Sequence, residues 1–123
     1  MNKLLQIALG GLAFLTCALA LACDYPDRPH IPDGATASKD ELLAAKAGVQ
    51  DYIAAVDAYL SCVEDTEKAA IAELEDPAPE ELQRRDDLLN KKFDAANEEK
   101  ALVGEQFNQQ IRAYNQKLKE RKD

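Results

Sequence analysis

Apolar positions recur every three or four residues over two long stretches of this chain, and the breaks between them define its parts. The first stripe is Leu42, Ala45, Val49, Tyr52, Val56, Tyr59 and Val63. Its steps alternate three and four, the spacing of a coiled-coil seam. Just ahead of it, Ser38 and Glu41 form a Ser-x-x-Glu capping box that starts a helix. The second stripe is Leu82, Leu89, Phe93, Ala96, Val103, Phe107, Ile111, Tyr114 and Leu118, again in steps of three, four and seven. Between the two, Asp76-Pro77-Ala78-Pro79 stops the first helix and starts the second. Each proline disfavours helix in the residue before it yet is accepted as a first helical residue. Glu80 and Glu81 then fall in the first turn of the second helix, and Lys117, Lys119, Arg121 and Lys122 near its end, the signs that the helix dipole favours.

The pattern predicts an all-α fold of two long helices, antiparallel because so short a corner joins them. Residues equidistant from Ala78 then face each other: Val63 and Phe93, Tyr59 and Ala96, Tyr52 and Val103, Val49 and Phe107, Leu42 and Tyr114. Large meets small or medium in most pairs, as knobs-into-holes packing prefers. Gly48, within the first helix, marks a close backbone approach. Leu43, Ile53 and Leu60 form a second apolar flank that the two-helix seam leaves uncovered.

Ahead of the helices, Pro26, Pro29 and Pro32 recur at every third residue. That is the period of polyproline II and lines them on one side of an extended rod, ended by an Asp33-Gly34 turn. The predicted parts are therefore 1–22, 23–37 and 38–123: a signal peptide, an extended Pro-rich segment and the helical hairpin domain. The signal reading follows from Lys3, an apolar run from Leu4 to Leu19, and the small residues Ala20 and Ala22 flanking Leu21. The run is also long enough for an uncleaved membrane anchor, but the small-x-small ending and the abrupt change to Pro-rich sequence favour cleavage. The Ala22-Cys23 junction also permits a lipid anchor on Cys23. Against that, lipidation sites place Leu three residues before the cysteine and a small residue two before it, and here Ala20 and Leu21 occupy those positions. The expected location is the periplasm, the alternative a lipid anchor at Cys23.

Composition narrows the functional classes. The chain has 15 basic and 23 acidic residues and a net charge of −8, and Lys3 is the only charged residue before Cys23. A surface this acidic repels nucleic acid and anionic lipid, which excludes both as bulk partners; a membrane enters only through an uncleaved signal or a lipidated Cys23. There is no tryptophan, and aromatic residues are 6% of the chain, which suits a thin helix-on-helix seam better than a thick globular core.

Cleavage after Ala22 leaves Cys23 and Cys62, an even pair that an oxidising compartment bonds. The lengths agree. The helical climb from Ser38 to Cys62 is about 36 Å, and the rod from Cys23 to Ala37 is about 43 Å, enough to turn back and reach Cys62. The disulfide then clamps the rod along the first helix, with Pro26, Pro29, Ile31 and Pro32 laid over the Leu43, Ile53 and Leu60 flank. A redox-active role is disfavoured, because no C-x-x-C is present and Glu64 and Asp65 adjoin Cys62.

The C-x-x-P-x-x-P-x-I-P-D-G run of Cys23 to Gly34, the Y-x6-Y-x2-C run of Tyr52 to Cys62, and F-N-x-Q-x-R-x-Y from Phe107 to Tyr114 together resemble a group of small exported proteobacterial proteins of uncharacterised function. The resemblance implies export and a helical architecture, and it carries over no catalytic residues.

Chemistry-bearing residues are few. His30, the one histidine, lacks the further N or S ligands that a metal site needs. The acids around Glu64, Glu73 and Glu98-Glu99 lack a calcium-loop pattern and read as solvated helix face. Ser38 and Ser61 have no nucleophile motif, and neither a P-loop nor a dinucleotide glycine pattern is present. No catalytic, cofactor or metal residue is assigned, and no cofactor is expected. Tyr52, Tyr59 and Tyr114 sit on the stripes as core residues whose hydroxyls reach the edge. The expectation is a non-enzymatic structural or protein-interaction module of the cell envelope that self-associates or binds another envelope protein. The alternative is a periplasmic holdase-like chaperone or small-ligand binder.

Overall fold

A computed structural model describes residues 23–122; the signal peptide expected over 1–22 lies outside the described residues. Two helices make up most of the fold, α1 (Lys39–Ala72) and α2 (Pro79–Glu120), and they pack against each other as an antiparallel hairpin. At 1.5 Å per residue they are about 51 and 63 Å long. The described residues contain no strand.

Both helices begin as their sequences dictate. Ser38, extended at φ −80° and ψ 165°, accepts from the Glu41 amide, while the Glu41 carboxylate accepts from the Ser38 amide at 2.7 Å. The capping box is complete. α2 starts on Ala78 (φ −63°, ψ 142°) with Pro79 as its first helical residue and Glu80 and Glu81 in its first turn. α1 ends at Ala72, several residues before the prolines, and the chain reverses through 73–78. There Asp76 takes φ 46°, a left-handed conformation that Asp tolerates better than most L-residues.

The hairpin register agrees with the mirror about Ala78. Lys100 bonds Asp57 across the seam at 2.5 Å, and Arg85 bonds Glu67 at 2.9 Å; these pairs sit within a turn or so of the predicted register, one on either side of it. Val49, Tyr52, Val56, Leu60, Ala96 and Val103 form the buried core, and Tyr59, Val63, Phe93 and Phe107 pack against it. Nearest the corner the hairpin thins. Arg85 there bridges Glu67 and Glu81, and Leu74, Leu82 and Leu88 are exposed.

The Pro-rich segment forms an extended strap over residues 23–33, antiparallel to α1 and parallel to α2. It runs along α1 as expected, but on the other side of the helix. At 100° per residue, the strap-facing positions of α1 are Ala44, Gly48, Tyr59 and Cys62. The Leu43, Ile53 and Leu60 flank lies on the opposite side. Leu43 is 53% exposed, Ile53 is half-buried, and Leu60 is covered from within the hairpin. The expectation that the prolines cover this flank is therefore corrected. The strap meets a different apolar surface, with Ile31 packed against the hairpin core and Tyr25 on Tyr59, and polar contacts to α2 and its cysteine hold it on that side.

Candidate functional site

The hairpin has two broad faces of different character. One carries the strap, and the other is open.

The strap is fastened at both ends and in the middle. Cys23 and Cys62 form a disulfide with their Cα atoms 5.8 Å apart. Two residues on, the Tyr25 ring meets Tyr59 edge-on, with centroids 4.9 Å apart and planes at 75°. The Tyr25 hydroxyl lies 3.3 Å from that of Tyr52. Tyr52 and Tyr59 are one heptad apart on α1, so Tyr25 spans both. Burial, and then the bond to Tyr25, push the Tyr52 phenol above its ordinary pKa. Arg28 pairs with Glu99 of α2, and this hydrogen bond holds the Glu99 carboxyl below the usual carboxylate value.

The turn after the strap docks on α2. Asp33 organises it: its side chain accepts from the Ala35 amide at 2.9 Å, and its carbonyl from the Ala37 amide at 2.8 Å. The Gly34 amide donates to the Gln110 side chain at 2.9 Å. A β-carbon on Gly34 would fall 1.8 Å from the Gln110 backbone oxygen, so only glycine fits. Its φ is not positive; closeness, not backbone conformation, requires it. Lys117 closes the turn by donating to the Ala37 carbonyl at 2.7 Å, while its ammonium lies 5.2 Å from the Tyr114 ring centroid. At Gly48 a β-carbon would meet Pro29 at an ordinary 3.6 Å, so the strap does approach there, with room to spare.

On the open face, Leu42, Leu43, Phe107, Ile111 and Tyr114 line a groove of about 400 Å³ between the helices. Its rims are regular. Lys39 and Lys46 stand a heptad apart on α1, and Asn108 and Asn115 a heptad apart on α2. Large apolar area beside a polar rim is the usual composition of a protein-docking surface.

Of the residues singled out from sequence, Cys23 and Cys62 are brought together. His30 is exposed on the strap, in a shallow dip with Pro29, Pro32 and Gly48. Glu98 is solvated as expected, but Glu99 is not free helix face, since it anchors Arg28. Glu67 likewise pairs with Arg85. Among the described residues, no three His, Cys, Asp or Glu side chains gather as a metal-binding group, and no helix is long and apolar enough to cross a membrane. Sequence reasoning missed Tyr25, Arg28, Gln110 and Lys117. One signal for the strap's side was present: Ala44, Gly48, Tyr59 and Cys62 share a stripe at helical spacing, so Cys62 itself marks the face the strap must cross.

No protein-family model, curated protein or solved structure matches the chain.

Proposed function

We propose that this chain is an exported helical docking module that works through its open face rather than through chemistry, in the envelope compartment reached after loss of residues 1–22. The observation that carries the reading is the asymmetry of the hairpin. One face is sealed by a disulfide-clasped strap, while the other keeps an apolar groove in which Leu43 is 53% exposed. A strap fastened at this many points leaves a single broad face for a partner. The disulfide supports export, since such bonds persist in oxidising compartments and not in the cytosol of most cells. Its use of Cys23 also competes with lipidation of that residue.

Two measurements test the reading. Intact mass of the protein purified from its native cells is expected to give an N-terminus at Cys23 and a two-hydrogen deficit that reduction removes. An acyl mass on Cys23 would replace the free periplasmic location with a lipid anchor. A photo-crosslinking side chain at Leu43 is expected to give a discrete adduct in cells. The same group at Leu102, which is 45% exposed but on the strap side of α2, is expected to give none. Equal labelling at both positions, or none at either, would sink the docking reading. A broad smear of clients at Leu43 would favour the holdase alternative, which draws on the same groove.

A further inference from the structure

The open face of α1 carries a charge pattern that is complementary to itself. Two adjacent heptad rows run along it. One row is Lys39, Lys46, Ile53 and Leu60; the other, four residues on, is Leu43, Gln50, Asp57 and Glu64. Read from opposite ends, the charged positions of the rows are complementary. Lys39 falls against Glu64, Lys46 against Asp57, Ile53 against Gln50, and Leu60 against Leu43. That is the relation produced by a two-fold axis passing between Asp51 and Tyr52, perpendicular to the helix and parallel to the open face. A self-complementary patch of this kind is what an isologous interface requires.

We propose that the occupant of the open face is a second copy of this chain, docked so that α1 lies antiparallel on its counterpart and α2 on its own, giving a four-helix arrangement. This rests on the reading of the open face as a docking surface and names its partner.

Side-chain availability agrees. Among the described residues, neither Lys39 nor Lys46 has an ion-pair partner in its own chain. Asp57 and Glu64 hold Lys100 and Lys68, yet their side chains are 59% and 42% exposed, and a carboxylate has acceptor sites for a second cation. The exposed Leu43 of each copy is taken out of solvent against the other at the level of Leu60, itself already buried within its hairpin. Apolar contact supplies the attraction, and the charge rows set direction and register, as in coiled coils.

An independent observation on α2 falls at the same level. The hairpin register sets Tyr52 opposite Val103, so the axis passes beside Gly104. Glycine is, after proline, the residue least suited to a helix interior. Gly104 has no reason for it within its own chain, because a β-carbon there would meet nothing within 4 Å. At the axis, two α2 helices approach each other most closely at Gly104 of each copy, and a missing side chain is then useful.

Charge reversal in the disulfide-bonded mature protein tests the proposal by sedimentation equilibrium at micromolar concentration, with circular dichroism to verify folding. Wild type is expected to be a dimer. The double variant Lys39→Glu with Lys46→Glu sets like charges together in all four symmetry-related pairs, and so does Asp57→Lys with Glu64→Lys. Each alone is expected to weaken dimerisation at least about tenfold, while an equimolar mixture of the two is expected to recover dimers, since every pair between unlike copies is again attractive. Monomeric wild type, variants that dimerise like wild type, or a mixture that fails to re-pair would each overturn the proposal. Monomeric wild type together with a discrete heterologous adduct at Leu43 removes the second copy as occupant and leaves the docking reading standing. Absence of any Leu43 adduct removes that reading too.

Discussion

The two broad faces of the hairpin solve one problem in different ways. Two helices packed along a single seam leave apolar surface on either side, and a thin core, nine well-buried apolar residues among the described ones, gives little margin. On the strap face the chain covers itself. An extended segment with no backbone ladder of its own is held by a disulfide, a tyrosine cluster, one ion pair and two hydrogen bonds between α2 side chains and the backbone of its turn. On the open face it does not, and Leu43 stays in solvent beside regular polar rims. The strap adds polar fastening to its apolar contacts, Ile31 against the core and Tyr25 on Tyr59. The open face carries its polar residues at the edge and its apolar residues in the middle. The covered and the open face thus leave different signatures in the same thirty-odd residues of α1.

The two faces differ most at the clasp. Cys62→Ser removes a cross-link over a sequence separation of 39 residues, which chain-entropy reasoning makes worth roughly 3–4 kcal/mol. Chemical denaturation is expected to show a loss of that size. Amide exchange is expected to accelerate first at Gly34 and its neighbours, with the α1 and α2 core protected until global unfolding. Uniform acceleration along both helices would mean that the strap is an integral part of the hairpin core and not a cover laid upon it.

How much of this was legible beforehand differs between the faces for a physical reason. Helix limits, the corner and the register follow from local rules, because caps, prolines and periodicity act within a few residues of each other. The disulfide follows from parity and from the near-equal lengths of rod and helix. The strap's side does not follow from apolar matching. Cys62 marks that side on α1, while Arg28–Glu99, Gly34–Gln110 and Ala37–Lys117 fix it on α2; their members lie 71, 76 and 80 residues apart, and no local pattern announces pairs so distant. Glu99 looked like solvated helix face because its partner lies in another segment. The open groove does not follow from the pattern either: the reading that lays the strap over Leu43 leaves no open face there, and Leu43 is 53% exposed.

Three glycines sharpen the contrast. Gly34→Ala places a β-carbon against the Gln110 backbone, so the strap turn must move off α2; a cost of about 1–3 kcal/mol is expected, the range for overpacking a tight contact. Gly48→Ala and Gly104→Ala should do the reverse in dilute, monomeric protein. The first meets Pro29 at ordinary contact and the second meets nothing, so each is expected to gain roughly 0.5–1 kcal/mol from helix propensity alone. Thermal unfolding of the three variants checks the order. Stabilisation by Gly34→Ala would show that the turn is not seated as described, and a large loss at Gly104 in dilute protein would place a neighbour there that belongs to the same chain.

The smallest effect is the response to acid, and its sign is fixed. Glu99 is held below the ordinary carboxylate value of 4.5 by Arg28, Glu81 by Arg84, and Glu41 by the Ser38 backbone and hydroxyl. A folded-state carboxyl with a lowered pKa binds fewer protons than the same group in the unfolded chain, so its contribution is complete above the unfolded value and disappears as pH falls through the folded one. Stability is therefore expected to be level from neutrality down to about pH 5 and to decline below about 4.5. All of these groups are exposed, so the decline is shallow. Arg28→Gln separates the faces. With the guanidinium gone, Glu99 returns towards its ordinary value, and the hydrogen-bonded amides of Gly34, Ala35 and Ala37, where the strap turns onto α2, lose part of their protection at neutral pH. The acid-dependent slope measured on those amides should flatten, while the slope at Ser38, governed by Glu41, stays as it was. An unchanged slope at both positions would mean that the Arg28–Glu99 pair contributes nothing to seating the strap, leaving the disulfide, the tyrosines and the Gly34 contact to hold it.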